Sequence, residues 1–362
     1  MLKLIDRYII QKYLSTFLFT IMIFSMISII IDFSDKVEDF IEETCTIPEI
    51  LLDYYLPFVL YIHGLLIPLY AMISVIFFTS RLAYNSEIIS ILNAGVSFRR
   101  MIVPYLAAAG LIAGFHLLSN HYIIPWSNKT RLDFEHKYIW KYSDKGKTND
   151  VHLFVGPETK IYIKYYQKRD STARNLRIES IKDNKLVKLI KANKAEWLGP
   201  PNRWQLNNYE IRTFNGQKET IRLGTNQKMD TVLNLTPSDF VRYQNQKEMM
   251  DTGELTEFIN TEKARGVGNT KAFEIEKHRR TAEPITIIIL TLIGVAVASR
   301  KVRGGMGLHL ALGVAIGAAF IFISRFSNVF ATNESLTPLL GVWIPNLVFI
   351  GIALLLLGRA QK

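Results

Sequence analysis

The stretch YYLPFVLYIHGLLIPLYAMISVIFFTS, which runs from Tyr54 to Ser80, contains no Asp, Glu, Lys or Arg. An α-helix rises about 1.5 Å per residue, so about 20 residues cross the roughly 30 Å hydrocarbon core of a membrane. A soluble domain would instead distribute its apolar residues with the period of a half-buried helix or strand. The stretch therefore predicts a transmembrane helix and a membrane-protein fold.

Five further runs lack charged residues in the same way, in a chain of 362 residues that is 49% hydrophobic. They are Tyr13–Ile31, Met101–Trp126, Ile285–Ser299, Met306–Ser324 and Leu336–Gly358. Ile285–Ser299 is a little short and needs the preceding Thr281–Pro284 to reach spanning length. The sequence therefore predicts six transmembrane helices, three before a long polar middle segment and three after it.

The net charge is +11, and cations flank these spans at alternate ends, whereas the loop after the first span is acidic. The flanking cations are Lys3, Arg7, Lys12, Arg81, Arg99, Arg100, Arg300, Lys301, Arg303, Arg359 and Lys362. The positive-inside rule then places both termini in the cytoplasm and the polar middle outside it. The cluster Lys277–Arg280 breaks the pattern. Either a long translocated domain tolerates these charges, or they form a basic collar for an anionic lipid head group.

Between Val151 and Leu235 the long apolar runs give way to short alternating segments. KIYIKYYQ (Lys160–Gln167), LRIESIK (Leu176–Lys182) and KLVKLIK (Lys185–Lys191) alternate apolar and polar residues, and turn signals such as GPPN separate the series. Short strands without intervening helices predict an antiparallel sandwich or a jelly roll. Its apolar face is either an ordinary core or a trough for acyl chains.

These patterns divide the chain into three parts. Residues 1–126 hold the first three spans and a short cytoplasmic helix at 84–97. Residues 127–250 form the β domain, and residues 251–362 hold a connecting helix and the last three spans. The predicted fold is an α-helical membrane protein with six transmembrane helices, three plus three, and an inserted antiparallel β domain that is either a sandwich or a jelly roll.

The segment SEIISILNAGVSFRR, from Ser86 to Arg100, lies between the second and third spans. Asn85 or Ser86 can cap a helix, Glu87 suits the positive end of the helix dipole, and Gly95 can end the helix. The expected apolar face consists of Ile88, Ile91 and Leu92, and the expected polar face of Glu87, Ser90 and Asn93. Helices that lie on lipid usually present several cations. A groove in a partner protein is therefore favoured over the lipid surface as the host.

The remaining motifs give little support to catalysis. GKT at Gly146–Thr148 resembles the tail of a phosphate-binding loop, but that loop needs a glycine where Lys141 stands. HExxH, CxxC and nucleic-acid-binding motifs are absent from the sequence. His63 and His116 lie within spans, where a packing role is favoured over a functional one. We therefore expect no enzyme activity, no metal, no cofactor and no nucleic-acid partner.

Two pairs of residues in the spans leave alternatives open. Gly313 and Gly317 form GxxxG in the fifth span, which predicts a tight helix contact, either within the chain or with a partner. Asp32 and Lys36, at the end of the first span, are either interfacial residues or the rim of an entry site for a charged substrate. The interfacial role is favoured for Asp32, because an acid repels phosphate.

Several segments, in order, resemble one family. They are IDRYI (Ile5–Ile9), NSEIISILNAGVS (Asn85–Ser97), HRRTAEPITIIILTLIG (His278–Gly294) and RKVRGGMG (Arg300–Gly307). Over nearly its whole length the chain resembles the lipopolysaccharide-export permeases of the LptF/LptG (YjgP/YjgQ) family, and it is closer to LptG than to LptF.

The resemblance implies a mechanism and a set of partners. Two related permeases, here an LptG-like chain and an LptF-like partner, form a heterodimer in the inner membrane of a Gram-negative bacterium. A separate cytoplasmic ATPase dimer, LptB-like, grips their coupling helices and drives expulsion of lipopolysaccharide from a cavity between them. The lipid then enters a bridge of periplasmic β-jelly-roll domains, which includes LptC- and LptA-like proteins and the middle domain of this chain.

The resemblance also implies roles for residues. The ATPase-coupling residues are Ser86, Glu87, Ile88, Ile91, Leu92 and Gly95, with Glu87 as the docking acid. The first and fifth spans, the latter with Gly313 and Gly317, resemble the walls of a lateral gate. A lysine that meets lipid phosphates in LptG-like chains is replaced here by Asp32. The candidates for that substrate-binding role are Lys36, Lys129, Arg131, Arg279 and Arg280.

Two other functions are less well supported. Permeases of other ABC-type envelope transporters, for lipoprotein release or antibiotic export, usually have four spans and a domain after the first, whereas here three spans precede the β segment. A membrane-anchored scaffold would need only one or two spans.

Overall fold

The computed structural model describes residues 3–42, 45–139, 148–167, 169–200, 202–240, 246–266, 270–302, 305–333 and 335–360, so Gly146 and Lys147 of the GKT segment lie outside it. The chain forms two compact units. Met1–Lys141, Lys247–Leu255 and Lys271–Lys362 form the first, here called the helical unit. Tyr142–Gln246 and Thr256–Thr270 form the second, here called the β unit.

The main helices are numbered in chain order. They are α1 (Leu4–Glu42), α2 (Ile47–Tyr84), α3 (Glu87–Asn93), α4 (Phe98–Ile139), α5 (Thr252–Ala264), α6 (Lys271–Ala298), α7 (Gly305–Thr332) and α8 (Pro338–Ala360). Within the described residues, all but α3 and α5 are long and apolar enough to cross a membrane. The predicted arrangement of three spans, an inserted domain and three spans is confirmed.

The helical unit has two ends, which its contacts define. At the end called outer here, α1 finishes, α2 starts, α4 finishes and α6 starts, and Lys36 of α1 binds Glu135 of α4 there. At the inner end, α1 starts and α2 leads through α3 into α4, and Asp6 of α1 binds Arg100 of α4 there. The candidate site is distributed over both ends.

Helix α6 is the most enclosed of the six long helices. Of its most apolar 18-residue window, 67% is buried, against 11% for α1 and 17% for α7. Tyr13 of α1 is fully buried, and its hydroxyl lies 2.8 Å from the Thr291 hydroxyl on α6 and 3.2 Å from the Ala71 carbonyl on α2. One narrow stripe of α1 is therefore fixed to the core, and most of its apolar surface has no cover within the described chain.

Helix α4 extends beyond its predicted end at Trp126. It continues to Ile139 through two π-helical turns, at Ser119–Ile123 and Glu135–Ile139. Asn128 and Glu135 on this extension are buried although they are polar. Residues 127–139, which the sequence assigned to the β domain, are therefore helical. The hydropathy pattern missed this segment because polar residues, Ser127, Asn128 and Glu135, share its buried face with Leu132 and Phe134.

The β unit contains six antiparallel strands in a plain meander, inserted between α4 and α6. They are β1 (Asn149–Gly156), β2 (Thr159–Gln167), β3 (Thr172–Lys182), β4 (Lys185–Gly199), β5 (Arg203–Asn215) and β6 (Lys218–Val232). The domain is jelly-roll-like, with neighbours in sequence paired throughout and β1 and β6 at the edges.

The apolar face of this sheet is occupied by its own core. Trp204 is 1% exposed and donates a hydrogen bond of 2.9 Å from Nε1 to the Leu235 carbonyl. Tyr166 stacks on Phe240 with ring centroids 3.7 Å apart. The sequence left open whether this face is an ordinary core or a trough for acyl chains, and the packing of these residues is that of an ordinary core.

Glycines bring α7 close to its neighbours in the helical unit. A Cβ at Gly313 would lie 2.3 Å from Cδ1 of Ile76, and one at Gly317 would lie 2.8 Å from Cε of Met72. Both neighbours belong to α2, so the GxxxG contact lies within the chain. At Gly341 of α8 a Cβ would lie 2.4 Å from Cβ of Ala331 on α7, an atom that has no rotamer to move it away.

Gly341→Ala is therefore expected to destabilise the helical unit by about 1–3 kcal/mol, the usual cost of overpacking. Thermal unfolding of the protein in detergent checks the change. Gly351→Ala is the matched control on the same helix, because a Cβ there meets nothing within 4 Å. An equal loss of stability in both variants would mean that the α7–α8 contact is not tight.

Candidate functional site

The inner end of the helical unit carries α3 as a short separate helix. Ser86 precedes it with a left-handed φ of 62°, and its hydroxyl accepts a hydrogen bond of 3.2 Å from Lys301 and does not cap the helix. Gly95 follows with φ of 84°, and the Val96 N–H donates to the Ile91 carbonyl at 3.4 Å. This is the glycine-terminated ending expected at Gly95. Of the two capping residues considered, Asn85 and Ser86, Ser86 holds the N-cap position without a side-chain cap, because its left-handed φ departs from the extended backbone that such caps use.

The apolar residues of α3 divide between two directions. Ile88 is 2% exposed and belongs to the main core of the helical unit, whereas Leu92 is 36% exposed. Ile91 is half-buried between them. Ile89, which the sequence analysis did not select, is 47% exposed. The free apolar surface of α3 is therefore formed by Ile89 and Leu92, while Ile88 anchors the helix.

Glu87 lies at the start of α3 beside α1. It accepts hydrogen bonds from the Tyr8 hydroxyl at 3.2 Å and from the Asn85 amide at 3.3 Å. Neither donor is charged, and Glu87 forms no ion pair in the described part of the chain. Its negative charge therefore remains available to a cation from outside the chain.

A salt bridge joins α1 to the segment after α3. Asp6 is 5% exposed and accepts a hydrogen bond of 2.6 Å from Arg100, whose position is two residues after the start of α4. Together with the bond from Tyr8 to Glu87, this connects the first turns of α1 to both sides of α3. A displacement of α3 would therefore act on α1 directly.

At the outer end, Lys36 is surrounded by its own partners. Its ammonium lies 3.1 Å from Asp32 and 2.9 Å from Glu135, and it donates to the Tyr54 hydroxyl. Arg131 is paired with the same Glu135 at 2.8 Å. Lys36 and Arg131, two of the predicted substrate-binding cations, are therefore neutralised within the chain, and Asp32 is one of the residues that neutralise them.

The two arginines of α6 are also paired. Arg279 lies 2.8 Å from Glu276 and 2.9 Å from Glu283. Arg280 is 3% exposed, pairs with Glu276 and donates to the carbonyls of Lys247 and Met250. These contacts fix the segment before α5 to α6, which is a structural role for Arg280.

Lys129 differs from the other predicted cations. It is exposed on α4 and has no ion pair among the residues that the structure describes. Of the five candidates, it is the one whose charge is free to meet an anionic head group without breaking an internal pair.

The two histidines of the spans are enclosed by hydrogen-bonding side chains. His63 Nε2 lies 2.6 Å from the Ser25 hydroxyl, and His116 Nε2 lies 3.3 Å from the Asn120 amide. Both imidazoles are buried. These contacts are those of the packing role that the sequence analysis favoured.

One cation near the bundle was missed. Arg325 follows directly after the apolar run Met306–Ser324, and α7 continues beyond it to Thr332. Arg325 is exposed and lines a cavity of about 640 Å³ between α2, α6, α7 and α8. The signal in the sequence was the apolar residues Phe326, Val329 and Phe330, which continue the helix beyond it.

The search of curated proteins finds no match for the chain. The family described as lipopolysaccharide export system permease LptF/LptG matches residues 7–359. The match includes every candidate site residue, all six long helices except the first few residues of α1 and the last residue of α8, and the whole β unit. The chain therefore belongs to the LptF/LptG family of lipopolysaccharide export permeases and is a multi-pass membrane protein with a transport role, not an enzyme.

Proposed function

We propose that this chain is the membrane subunit of an ATP-driven exporter that extracts lipopolysaccharide from the inner membrane and passes it to a periplasmic β-jelly-roll bridge. ATP hydrolysis takes place on a separate cytoplasmic ATPase dimer. The observation that carries this proposal is α3, which presents an acid and two exposed apolar side chains at the inner end while Ile88 fixes it to the core. Such a surface suits a groove in a protein better than an anionic lipid surface.

The exposed apolar surfaces of two long helices favour a second protein partner within the membrane. Helices α1 and α7 keep most of their apolar windows uncovered within this chain. A related, LptF-like permease that covers them would enclose a cavity between the two subunits, and α1 and α7 would form the walls through which the lipid enters. The salt bridge between Asp6 of α1 and Arg100, which follows α3, would then transmit a movement of α3 caused by the ATPase to α1, one of these walls.

The β unit is proposed to lie in the periplasm, where its sheet adds to a bridge with LptC- and LptA-like proteins. The inner end, with Arg81, Arg99 and Arg300, faces the cytoplasm by the positive-inside rule. Lys129 is the favoured contact for a lipid phosphate. The residues Lys36, Arg131, Arg279 and Arg280 would each have to leave a carboxylate to serve in that role.

The Glu87→Arg variant tests the proposal. The chain is coexpressed with its paired permease and the ATPase, purified, and reconstituted in proteoliposomes that contain lipopolysaccharide. Unmodified protein is expected to retain the ATPase and to release lipopolysaccharide to a soluble jelly-roll acceptor only with ATP. Glu87→Arg is expected to raise the Kd for the ATPase at least about tenfold, because one charge-assisted contact is worth at least about 1.5 kcal/mol.

Glu38→Arg is the matched control, since it makes the same charge change on an exposed residue at the outer end of α1. It is expected to retain the ATPase. Full ATPase retention and full release by Glu87→Arg would show that α3 is not the docking element. Absence of ATP-dependent release from the unmodified assembly would contradict the export function itself.

A further inference from the structure

A cavity of about 640 Å³ lies inside the helical unit between α2, α6, α7 and α8. This volume falls within the range of about 300–1,000 Å³ that is typical of small-molecule sites. Apolar side chains cover much of its wall; they include Leu65, Leu66 and Leu69 of α2 and Phe320 and Ile321 of α7. An apolar wall of this kind, inside a membrane protein, suits an acyl chain.

The polar part of the wall contains two free cations. Lys247 and Arg325 both line the cavity, and neither has an ion pair in the described part of the chain. Their positions, before α5 and in the last two turns of α7, place both at the outer end. Two unpaired cations beside an apolar wall form a site for an amphiphile with an anionic head.

The other charges of the wall limit the charge of that head. The carboxylates of the wall are Glu248, Glu276 and Glu283. Arg279 lines the wall in ion pairs with Glu276 and Glu283, whereas Arg280 is buried behind the wall and pairs with Glu276 from there. With Lys247, Arg325 and the buried Arg280 counted, four cations stand against these three carboxylates. One negative charge on a ligand balances this set, whereas a head with several phosphate monoesters would bring excess negative charge close to the carboxylates.

We propose that this cavity binds one anionic phospholipid, with its phosphodiester at Arg325 and Lys247 and an acyl chain along the α2 and α7 side chains. This resident lipid is distinct from the exported cargo and extends the proposed function. It fills the space between α7 and the rest of the bundle at the outer end, where α7 no longer packs through Gly313 and Gly317 on α2. The lipid thereby holds α7 in place.

Native mass spectrometry of the full-length protein in detergent, titrated with phosphatidylglycerol, tests the proposal. The unmodified chain is expected to retain one phosphatidylglycerol molecule in preference to zwitterionic phosphatidylcholine. Arg325→Gln is expected to weaken this binding about tenfold, the loss of one hydrogen-bonded charge contact. Ser324→Trp, which places a large side chain in the wall beside Arg325 without changing the charge, is expected to remove the bound lipid.

Lys277→Gln is the matched control, because Lys277 lies on α6 near the same end but does not line the cavity. It is expected to bind phosphatidylglycerol as the unmodified chain does, and Arg325→Lys is expected to recover part of the affinity. Equal losses in Arg325→Gln and Lys277→Gln, equal binding of the two phospholipids, or retention of lipid by Ser324→Trp would overturn the proposal. Binding of purified lipid A that is weakened by Arg325→Gln to the same extent as binding of phosphatidylglycerol would also overturn the proposal, because the cavity would then belong to the export path.

Discussion

Replacement of Ile89 and Leu92 together by aspartate is expected to abolish stable binding of the proposed ATPase. Ile89 and Leu92 are 47% and 36% exposed in this chain, and a docking groove would bury this remaining surface. Complete burial of an aliphatic side chain contributes about 1.5–3 kcal/mol, so the exposed parts contribute less than that, and the larger cost comes from two aspartates buried without partners. A combined loss of at least about 4 kcal/mol corresponds to an increase in Kd of at least about 1,000-fold.

Copurification of the ATPase with the double variant, followed by a binding titration in detergent, measures this effect. Ile221 and Leu223 on β6 provide the control, because they are exposed aliphatic residues of the same types in the β unit. Their replacement by aspartate is expected to leave the affinity for the ATPase unchanged. If the α3 double variant binds the ATPase as tightly as the β6 control does, the groove of the ATPase contacts a surface of the inner end other than α3.

Arg280→Ala is expected to destabilise the helical unit by about 3–5 kcal/mol. The guanidinium is 3% exposed and is the shared partner of Glu276 and of the carbonyls of Lys247 and Met250. Its removal leaves buried acceptors without donors, and the loss of one member of a buried ion pair costs about this much. The segment before α5 would also lose its attachment to α6.

Thermal unfolding in detergent measures the loss of stability, and trypsin cleavage after Lys247 reports the local detachment. Lys277→Ala removes a cation from the same helix, one that forms no ion pair in the described residues, and is expected to change the melting temperature little. Arg280→Lys is expected to be intermediate, because one ammonium cannot reach the positions of all three guanidinium nitrogens. A melting temperature in Arg280→Ala equal to that of Lys277→Ala would show that the buried network contributes nothing to stability.

The parts of the fold that could be predicted from the sequence are those with one dominant physical cause. Runs of about 20 residues without a charge have few alternatives to a membrane span, and alternating runs such as Lys160–Gln167 form strands as expected. The glycine end of α3 at Gly95 was equally clear, since few residues adopt a φ of 84°.

The sequence could not show how distant charges pair. Lys36 and Glu135 are 99 residues apart, and only the packing of α1 on α4 brings them together. A lysine near the end of a span looks the same in sequence whether it is free or neutralised. The same limit explains why Ile88 was grouped with Leu92, because in a seven-residue helix the neighbouring helices decide which side faces the core.

The sparse cover of α1 and α7 has a consequence for the cell. A copy synthesised in excess of the proposed paired permease would keep these two helices in contact mainly with lipid. If membrane proteases remove such unpaired copies, the amount of this protein in the cell will follow the expression level of that proposed partner.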